Sequence, residues 1–271
     1  MASQQKRAAA FRRLHQGSKI LLLANCWDAG SARLTESLGA RAVATTSAGV
    51  AWALGYPDGD KLPLDLLVTA VERITRAVAL PLSVDMEGGY GKTPKAVGAA
   101  VGRIIAAGAV GMNIEDGSGS PDLLCRKIAQ VKQTAKRKRV DFFVNARTDI
   151  YLRGLVPEAK RVAETLARAK RYRDAGADGL FVPGLTDPAA IRTIASEAGL
   201  PLNLLAWQGL APAAELEKLG VRRLSAGSGI AEAAWGRAAK LAKDFLRDGE
   251  SNPLSEGAME YGEINALVKG Q

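Results

Sequence analysis

Residues 82–90 read Leu82-Ser83-Val84-Asp85-Met86-Glu87-Gly88-Gly89-Tyr90, an apolar run that ends in two acids and a glycine-rich turn. The pattern predicts a strand over 82–85 that opens into a loop. Residues two apart on a strand point to the same side, so we expect Asp85 and Glu87 to project together. Two close carboxylates need a cation or a shared proton, and oxygen ligands of this kind suit Mg²⁺. The alternative is a solvated strand end without a metal.

The same order of apolar run, loop and helical periodicity recurs along the chain. Strands are expected at 20–24, 42–45, 82–85, 111–115, 142–146, 179–182, 202–205 and 223–226. Eight strands that alternate with helices predict an α/β fold, a (β/α)8 TIM-type barrel. A doubly wound open sheet is the alternative, and the missing Gly-x-Gly-x-x-Gly fingerprint favours the barrel.

The regions outside this repeat are few. An N-terminal helix is expected around 11–16, and 46–60 reads as a long loop. The barrel domain would span 1–248, and 249–271 would form a polar C-terminal tail with one short helix at 261–268.

Composition and charge narrow the class of protein. The 271 residues carry a formal net charge of +9, but the cations are scattered, so attraction of small anionic substrates explains the charge better than nucleic-acid binding. The sequence shows neither an apolar run of membrane-spanning length nor a signal-peptide core, which predicts a cytoplasmic protein with no membrane partner. Cys26 and Cys125 match no ligand or redox spacing. Because His15 is the only histidine, catalysis must rest on carboxylates, arginine, hydroxyls, backbone amides or a metal.

Polar residues gather where the predicted strands end, which is where barrel active sites lie. The candidates are Thr46, Ser47, Asp85, Glu87, Glu115, Asp116, Asn145, Arg147 and Asn203. Acids from two adjacent strands can hold one Mg²⁺, some directly and some through water. Arg147 would pair with a substrate carboxylate, or it would merely neutralise Glu115. A metal, an arginine and a hydroxyl-rich loop suit a small dicarboxylate or 2-oxo acid whose enolate must be stabilised.

Five blocks of sequence resemble the isocitrate lyase/phosphoenolpyruvate mutase superfamily, of the short type that includes 2-methylisocitrate lyase, phosphonopyruvate hydrolase and oxaloacetate decarboxylase. The blocks are Thr46-Ser47-Ala48-Gly49-Val50-Ala51, Leu54-Gly55-Tyr56-Pro57-Asp58-Gly59, Val84-Asp85-Met86-Glu87-Gly88-Gly89-Tyr90-Gly91, Gly111-Met112-Asn113-Ile114-Glu115-Asp116 and Asn145-Ala146-Arg147-Thr148-Asp149. Their order and spacing make the resemblance specific, and it extends from about Phe11 to Leu246.

The resemblance implies a role for each matching residue. Asp85, Glu87 and Glu115 would bind Mg²⁺, with Mn²⁺ as a substitute. With Asn203 added from the strand ends, the substrate-binding residues would be Thr46, Ser47, Ala48, Asp85, Arg147 and Asn203, and the catalytic residues would be Arg147, Asp58 and Ser47. The family also implies a last helix exchanged with a neighbouring subunit in a homodimer or homotetramer, with which the long predicted helix at 228–246 is compatible.

Two departures from the family pattern bear on the reaction. The usual Asp-x-Asp is Asp85-Met86-Glu87 here. The Lys-(Lys/Arg)-Cys-Gly-His gating loop of the carbon–carbon lyases is missing, and the nearby Cys125 is not followed by Gly-His. The Asn-Ser with which the phosphorus–carbon enzymes hold a phosphonate is missing too. The sequence therefore names no proton donor.

These observations predict a Mg²⁺-dependent lyase that cleaves a carbon–carbon bond of a small 2-oxo or 2-hydroxy di- or tricarboxylate through a metal-bound enolate. The substrate would be 2-methylisocitrate-like or oxaloacetate-like. A phosphonopyruvate-type enzyme that cleaves a phosphorus–carbon bond and a non-catalytic homologue that binds 2-oxo acids are the alternatives.

Overall fold

The computed structural model describes residues 2–269, and its eight strands are all parallel. The strands are β1 (Leu21–Leu23), β2 (Val43–Ala44), β3 (Leu82–Asp85), β4 (Gly111–Glu115), β5 (Phe143–Arg147), β6 (Gly179–Phe181), β7 (Leu202–Leu205) and β8 (Arg223–Ser225). The helices are α1 (Ala2–Leu14), α2 (Ala29–Ser37), α3 (Ser47–Ala53), α4 (Leu64–Ala77), α5 (Pro94–Ala106), α6 (Pro121–Lys138), α7 (Arg161–Asp174), α8 (Pro188–Glu197), α9 (Ala213–Lys218), α10 (Gly229–Asp248), α11 (Asn252–Ser255) and α12 (Tyr261–Lys269). Each strand is followed by a helix, as the sequence predicted.

The strands close into a barrel at one weak seam. Their hydrogen-bonded order is β1-β8-β7-β6-β5-β4-β3-β2, which leaves β1 and β2 at the two edges of the sheet. A single bridge between Cys26 and Thr45 joins those edges. In that bridge Cys26 N donates to Ala44 O at 2.8 Å, and Thr46 N donates to Cys26 O at 3.0 Å. The predicted TIM-type barrel is therefore confirmed, and the doubly wound alternative is wrong. The barrel is nearly closed, with this bridge as its one weak junction.

Helix α1 closes the end of the barrel where the strands begin. The ring of Phe11 contacts Phe143 edge to face at 5.5 Å between centroids, and His15 stacks on Phe143 at 4.1 Å. Gly111, the first residue of β4, leaves room for this plug, because a Cβ there would lie 2.9 Å from Phe11 Cε1. With this end filled by aromatic rings, a substrate has to enter from the other end.

The interior of the barrel is polar rather than aliphatic in its middle layer. Arg223 on β8 is only 1% exposed, and its Nη2 donates to Asn113 Oδ1 at 3.2 Å. Asn145 Nδ2 donates to the same oxygen at 3.0 Å. Burial lowers the pKa of Arg223 to about 10, while the charge of Asp85 acts in the opposite direction. A buried cation thus lies inside the barrel and attracts the carboxylate at the end of β3.

The expectation of a continuous loop over 46–60 is wrong, because residues 47–53 form helix α3. Thr46 caps the helix, its hydroxyl accepting from Gly49 N at 3.5 Å. Ala48, Val50 and Ala51 are buried against the core, and this packing stabilises a helix too short to form alone. The small residues of the segment gave no apolar periodicity by which to recognise it.

The C-terminal segment returns to the barrel after α10. Arg33 Nε on α2 donates to Leu267 O on α12 at 3.0 Å. The short helix expected at 261–268 is present as α12, whereas the division into a barrel at 1–248 and a tail at 249–271 remains a prediction. Within residues 2–269, no helix is both long enough and apolar enough to span a bilayer.

His15 is buried in its neutral form. Its Nδ1 donates to Phe11 O at 2.8 Å, and no described residue is a partner for Nε2. Burial, together with the charge of Arg223, lowers the pKa of His15 from 6.5 to about 3. The unfolded chain therefore takes up a proton on His15 at a higher pH than the folded chain does. The stability associated with a neutral, buried His15 is present above pH 6.5 and is lost as the pH falls toward 3.

Replacing His15 with Asn, which can still donate to Phe11 O, should make unfolding less sensitive to acid. The free energy of unfolding of the wild type should fall more steeply than that of H15N, by up to about 1.4 kcal/mol per pH unit. Urea unfolding of both proteins between about pH 7 and about pH 5 measures this difference, since the carboxylates are common to both. Parallel pH profiles would show that His15 does not carry the effect.

Candidate active site

Asp85 is the last residue of β3 and lies at the end of the barrel where the strands finish. Its backbone N donates to Thr45 Oγ1 at 2.8 Å, and its Oδ1 accepts from Glu87 N at 3.2 Å. Burial raises the pKa of the Asp85 carboxyl, and the charges of Arg147 and Arg223 oppose that rise. An ionised Asp85 therefore depends on cations close to it.

Glu87 does not extend the strand. Its φ is +47°, a left-handed conformation, so the expectation that Asp85 and Glu87 project together by strand alternation is wrong. The Glu87 carboxylate instead accepts from the backbone N of Asp60, and from Tyr90 Oη at 3.3 Å. Burial raises the pKa of Glu87 to about 7, and the neighbouring charges of Asp58, Asp60 and Asp85 add to the rise.

Two further residues beside Glu87 share its unusual backbone. Asp60 has a φ of +57° and Tyr90 a φ of +55°. The Asp60 carboxylate in turn accepts from the backbone N–H groups of Gly88 and Tyr90. Lys127 on α6 donates to Gly88 O at 2.6 Å. We call this group, Asp60, Glu87, Gly88, Tyr90 and Lys127, the clasp. Such strain persists only where the surroundings enforce it, and it concentrates at functional sites.

Arg147 connects the ends of β4 and β5. Its Nη1 lies 2.8 Å from Glu115 Oε2, so the ion pair that the sequence left open is formed. Its Nε and Nη2 donate to the two oxygens of Asp149 at 2.7 and 3.3 Å. These contacts use three of the five guanidinium N–H groups, which leaves two for a ligand. Burial raises the pKa of Glu115 to about 8, although Arg147 opposes the rise.

Asp149 was missed as part of this site. It has no exposed side-chain surface, and it also accepts from Arg153 Nε at 2.7 Å. Asp116, which the sequence grouped with Glu115, faces elsewhere: it accepts from Arg168 Nη1 at 2.8 Å and from Asp149 N at 3.0 Å. The triplet Arg147-Thr148-Asp149 was the signal, since an acid two residues after the arginine can face it.

The other predicted site residues differ in exposure and in their position relative to the strand ends. Ser47 begins α3 and is partly exposed, next to the capping Thr46 and the buried Ala48. Asp58 is exposed, and its charge raises the pKa of both Asp85 and Glu87. Asn203 is the second residue of β7, only 1% exposed, with its amide directed to Ser225 Oγ at 3.4 Å. Its expected position at a strand end is therefore wrong.

The carboxylates at the strand ends form a donor set that suits a hydrated metal ion. Within the part of the chain that the structure describes, no group of three His, Cys, Asp or Glu side chains is placed to hold an ion directly. The carboxylates of Asp85, Glu87 and Glu115 nevertheless repel one another, because Asp85 raises the pKa of both glutamates. Hard oxygen donors with excess negative charge suit Mg²⁺, which keeps several of its waters. The residues fit a hydrated ion better than a fully protein-coordinated one.

Comparison with known proteins identifies the family. The model of the family described as phosphoenolpyruvate phosphomutase matches residues 11–246. The chain belongs to the phosphoenolpyruvate mutase/isocitrate lyase superfamily. The match extends over the whole barrel, from the plug helix to α10, as the resemblance in sequence indicated.

Three similar proteins place the chain within the superfamily. An uncharacterized protein of Mycobacterium tuberculosis is 37% identical over 268 residues, which is 96% of each chain. An oxaloacetate decarboxylase of Pseudomonas aeruginosa is 31% identical over 260 residues, covering 91% of this chain and 86% of that protein. A crystal structure from Burkholderia cenocepacia J2315, provisionally named a lyase/mutase, has a TM-score of 0.89 and 35% identity, over 98% of this chain and 96% of that one.

Membership in the superfamily does not fix the reaction, because this chain departs from the family pattern in the loop after β4. After Glu115, residues 117–120 form a short loop, and α6 begins at once with Pro121. Cys125 lies in the second turn of that helix, partly buried against the core. The chain therefore has a packing residue in place of a cysteine on a mobile loop, as the missing Gly-His indicated.

The buried carboxylate of Asp149 should stabilise the site more than any exposed ion pair. Replacing Asp149 with Asn should lower the free energy of unfolding by about 3 kcal/mol, because it leaves the guanidinium of Arg147 without its bidentate partner. The side chain of Arg153 is 49% exposed, so replacing it with Gln should lower the free energy of unfolding by less than about 1 kcal/mol. Urea unfolding compares the two, and equal losses would refute the central role of Asp149.

Proposed function

We propose that the protein is a Mg²⁺-dependent carbon–carbon lyase that acts on a small 2-oxo or 2-hydroxy di- or tricarboxylate, oxaloacetate-like or 2-methylisocitrate-like, through an enolate. The observation that carries the proposal is the meeting of Asp85, Glu115 and Arg147 at the ends of three adjacent strands. The similarity to an oxaloacetate decarboxylase supports this choice of substrate class.

The metal would be held by Asp85, Glu87 and Glu115. Mg²⁺, or Mn²⁺ in its place, would supply a Lewis acid for negative charge that develops on the substrate. In the protein alone, Arg147 balances part of this negative charge through its contact with Glu115. An added cation would lower the repulsion among the three carboxylates and so favour their ionised forms.

The substrate would be oriented by Arg147 and by the start of α3. The two free N–H groups of Arg147 can bind one carboxylate, while Asp149 holds the guanidinium in place. The first turn of α3 presents backbone N–H groups and the hydroxyl of Ser47, which suit the oxo-acid end. Asp58 would keep its predicted catalytic role, and Thr46, Ala48 and Asn203 would keep their predicted substrate-binding roles, Asn203 from within the barrel.

A proton must reach the carbon after bond cleavage, and we infer that the hydroxyl of Tyr90 delivers it. Its Oη lies 3.3 Å from Glu87 Oε1, within the clasp. The clasp fixes its position, since the left-handed backbone and the Lys127 contact hold the turn. We assign Tyr90 the role of proton donor, for which the sequence alone named no residue.

The long helix α10 supports assembly into a homodimer or homotetramer by helix exchange. Of its twenty residues only Ala231 is buried, and Ile230, Trp235, Phe245 and Leu246 are exposed. Such an apolar face on one helix is typical of a surface that a second subunit covers.

Turnover assays on a panel of acids test the proposal. With Mg²⁺, the protein should cleave oxaloacetate or 2-methylisocitrate, and a chelator should abolish the reaction until Mg²⁺ or Mn²⁺ is restored. Replacing Arg147 with Gln should lower kcat/KM by about 10²-fold, as expected for the loss of a bidentate contact that orients the substrate. Arg153→Gln is the matched control and should retain activity.

The alternatives predict different results in the same assay. Phosphate release from phosphonopyruvate without cleavage of the carbon acids would favour the phosphorus–carbon enzyme, the activity for which the matching family model is named. Binding of oxalate without turnover of any acid would favour a non-catalytic homologue. Either result would refute the lyase.

Replacing Tyr90 with Phe tests the proton donor, because it removes the hydroxyl while a side chain of the same shape remains. Turnover should fall by about 10²-fold or more, with the affinity for oxalate unchanged. Tyr261→Phe, in the exposed α12, is the control. A variant Y90F with wild-type kcat would exclude Tyr90 as the donor.

A further inference from the structure

Asp116 is a buried acid directly after β4 to which the proposed reaction gives no role. Its side chain has no exposed surface, and two side chains of α7 hold one of its oxygens. Arg168 Nη1 donates to Asp116 Oδ2 at 2.8 Å, and Tyr172 Oη donates to the same oxygen. Burial and the charge of Asp116 raise the pKa of Tyr172, so the phenol stays protonated and remains a donor. The Asp116 carboxylate is therefore attached to a helix of the outer layer.

The same residue holds the chain beyond β5 at two points. Asp116 N donates to Arg147 O at 3.2 Å, and Asp116 Oδ1 accepts from Asp149 N at 3.0 Å. The ladder between β4 and β5 ends at the pair of Glu115 and Arg147. The two contacts of Asp116 extend that connection past the last paired residues. The position of Asp149 relative to β4 is thus set by Asp116.

Asp149 connects Asp116 to the guanidinium of Arg147. Its two oxygens accept from Arg147 Nε and Nη2 at 2.7 and 3.3 Å. The guanidinium also lies over the ring of Phe181, with 5.8 Å from Cζ to the ring centroid. These contacts restrain the plane and one edge of the guanidinium. The direction of its two free N–H groups therefore depends on where the Asp149 carboxylate lies.

We propose that Tyr172 and Arg168 are positioning residues for the substrate-binding Arg147. They fix Asp116, Asp116 fixes Asp149, and Asp149 in turn directs the two free N–H groups of the guanidinium. The inference rests on the proposed function, in which those N–H groups bind a substrate carboxylate. A displacement of about 1 Å at a positioned group is enough to lower a rate by about 10²-fold, so contacts remote from the substrate can affect its binding and turnover.

Oxalate binding in the presence of Mg²⁺, measured by isothermal titration calorimetry, tests the role of these contacts. Tyr172→Phe removes only the hydroxyl and should weaken binding by about threefold. Asp116→Asn places an amide opposite the Arg168 guanidinium and should weaken binding by about tenfold. Glu164→Gln is the matched control and should bind as wild type does, because Glu164 accepts from Arg168 Nε on the side away from Asp116 and is 37% exposed.

Double variants separate positioning from a general structural role. Because Asp116 and Tyr172 act through Arg147, D116N/R147Q and Y172F/R147Q should bind oxalate as weakly as R147Q alone. Losses that add to that of R147Q would overturn the inference. Thermal unfolding identifies any variant that does not fold, and Y172F decides the question if D116N is one of them.

The Nε–H of Arg147 gives a readout that needs no ligand. Its NMR signal, assigned by its absence in R147Q, should exchange with solvent at least about tenfold faster in D116N, and about threefold faster in Y172F, than in wild type. Arg12 Nε–H, which donates to Asp141 Oδ2 at 2.6 Å at the opposite end of the barrel, is the internal reference and should be unchanged.

Wild-type exchange of the Arg147 Nε–H in both variants would overturn the inference. If the wild-type protein binds no oxalate, the proposed function fails, and the exchange rates alone then decide whether Tyr172 and Asp116 position Arg147.

Discussion

Repulsion among carboxylates at one end of the barrel is the constraint on which the site depends. Burial raises the pKa of Asp85, Glu87 and Glu115, and the charge of Asp85 raises the pKa of both glutamates further. Two arginines offset this cost: Arg147 from the rim, at 2.8 Å from Glu115, and Arg223 from inside the barrel. Neither makes the set electrically neutral, since Arg147 is shared with a further buried acid. The fold therefore maintains an excess of negative charge at a place where a divalent cation would relieve it.

The turn after β3 is held by contacts rather than by propensity. Asp60, Glu87 and Tyr90 adopt left-handed conformations that each cost of order 1 kcal/mol or more. The reciprocal hydrogen bonds between Asp60 and the turn, and the contact from Lys127 to Gly88, offset that cost. Helix α6 thus stabilises, through Lys127, the turn that follows β3. The position of the Glu87 carboxylate therefore depends in part on helix α6.

Predictions from the sequence were right where a local pattern, such as an apolar run bounded by turn residues, determined the element. The bounds of β3, β4 and β7 matched, because each is an apolar run bounded by turn residues. They failed at α3, whose stability comes from tertiary burial, and at Glu87, whose backbone leaves the strand before alternation can apply. Asn203 was misplaced because a four-residue strand gives no sign of which residue lies at the rim. The contact between Arg147 and Asp149 was not read from the sequence, because it is formed beyond the end of β5.

The seam between β1 and β2 has a mechanical consequence. Every other pair of neighbouring strands is joined by a ladder, whereas these two share the bridge between Cys26 and Thr45. The same Thr45 accepts from the backbone of Asp85 through its hydroxyl, and Thr46, beside it, caps α3. The barrel is therefore least constrained along the line where two parts of the proposed site are attached to it. A widening of this seam would displace the capped helix and Asp85 together, whereas the aromatic plug at the opposite end does not depend on it.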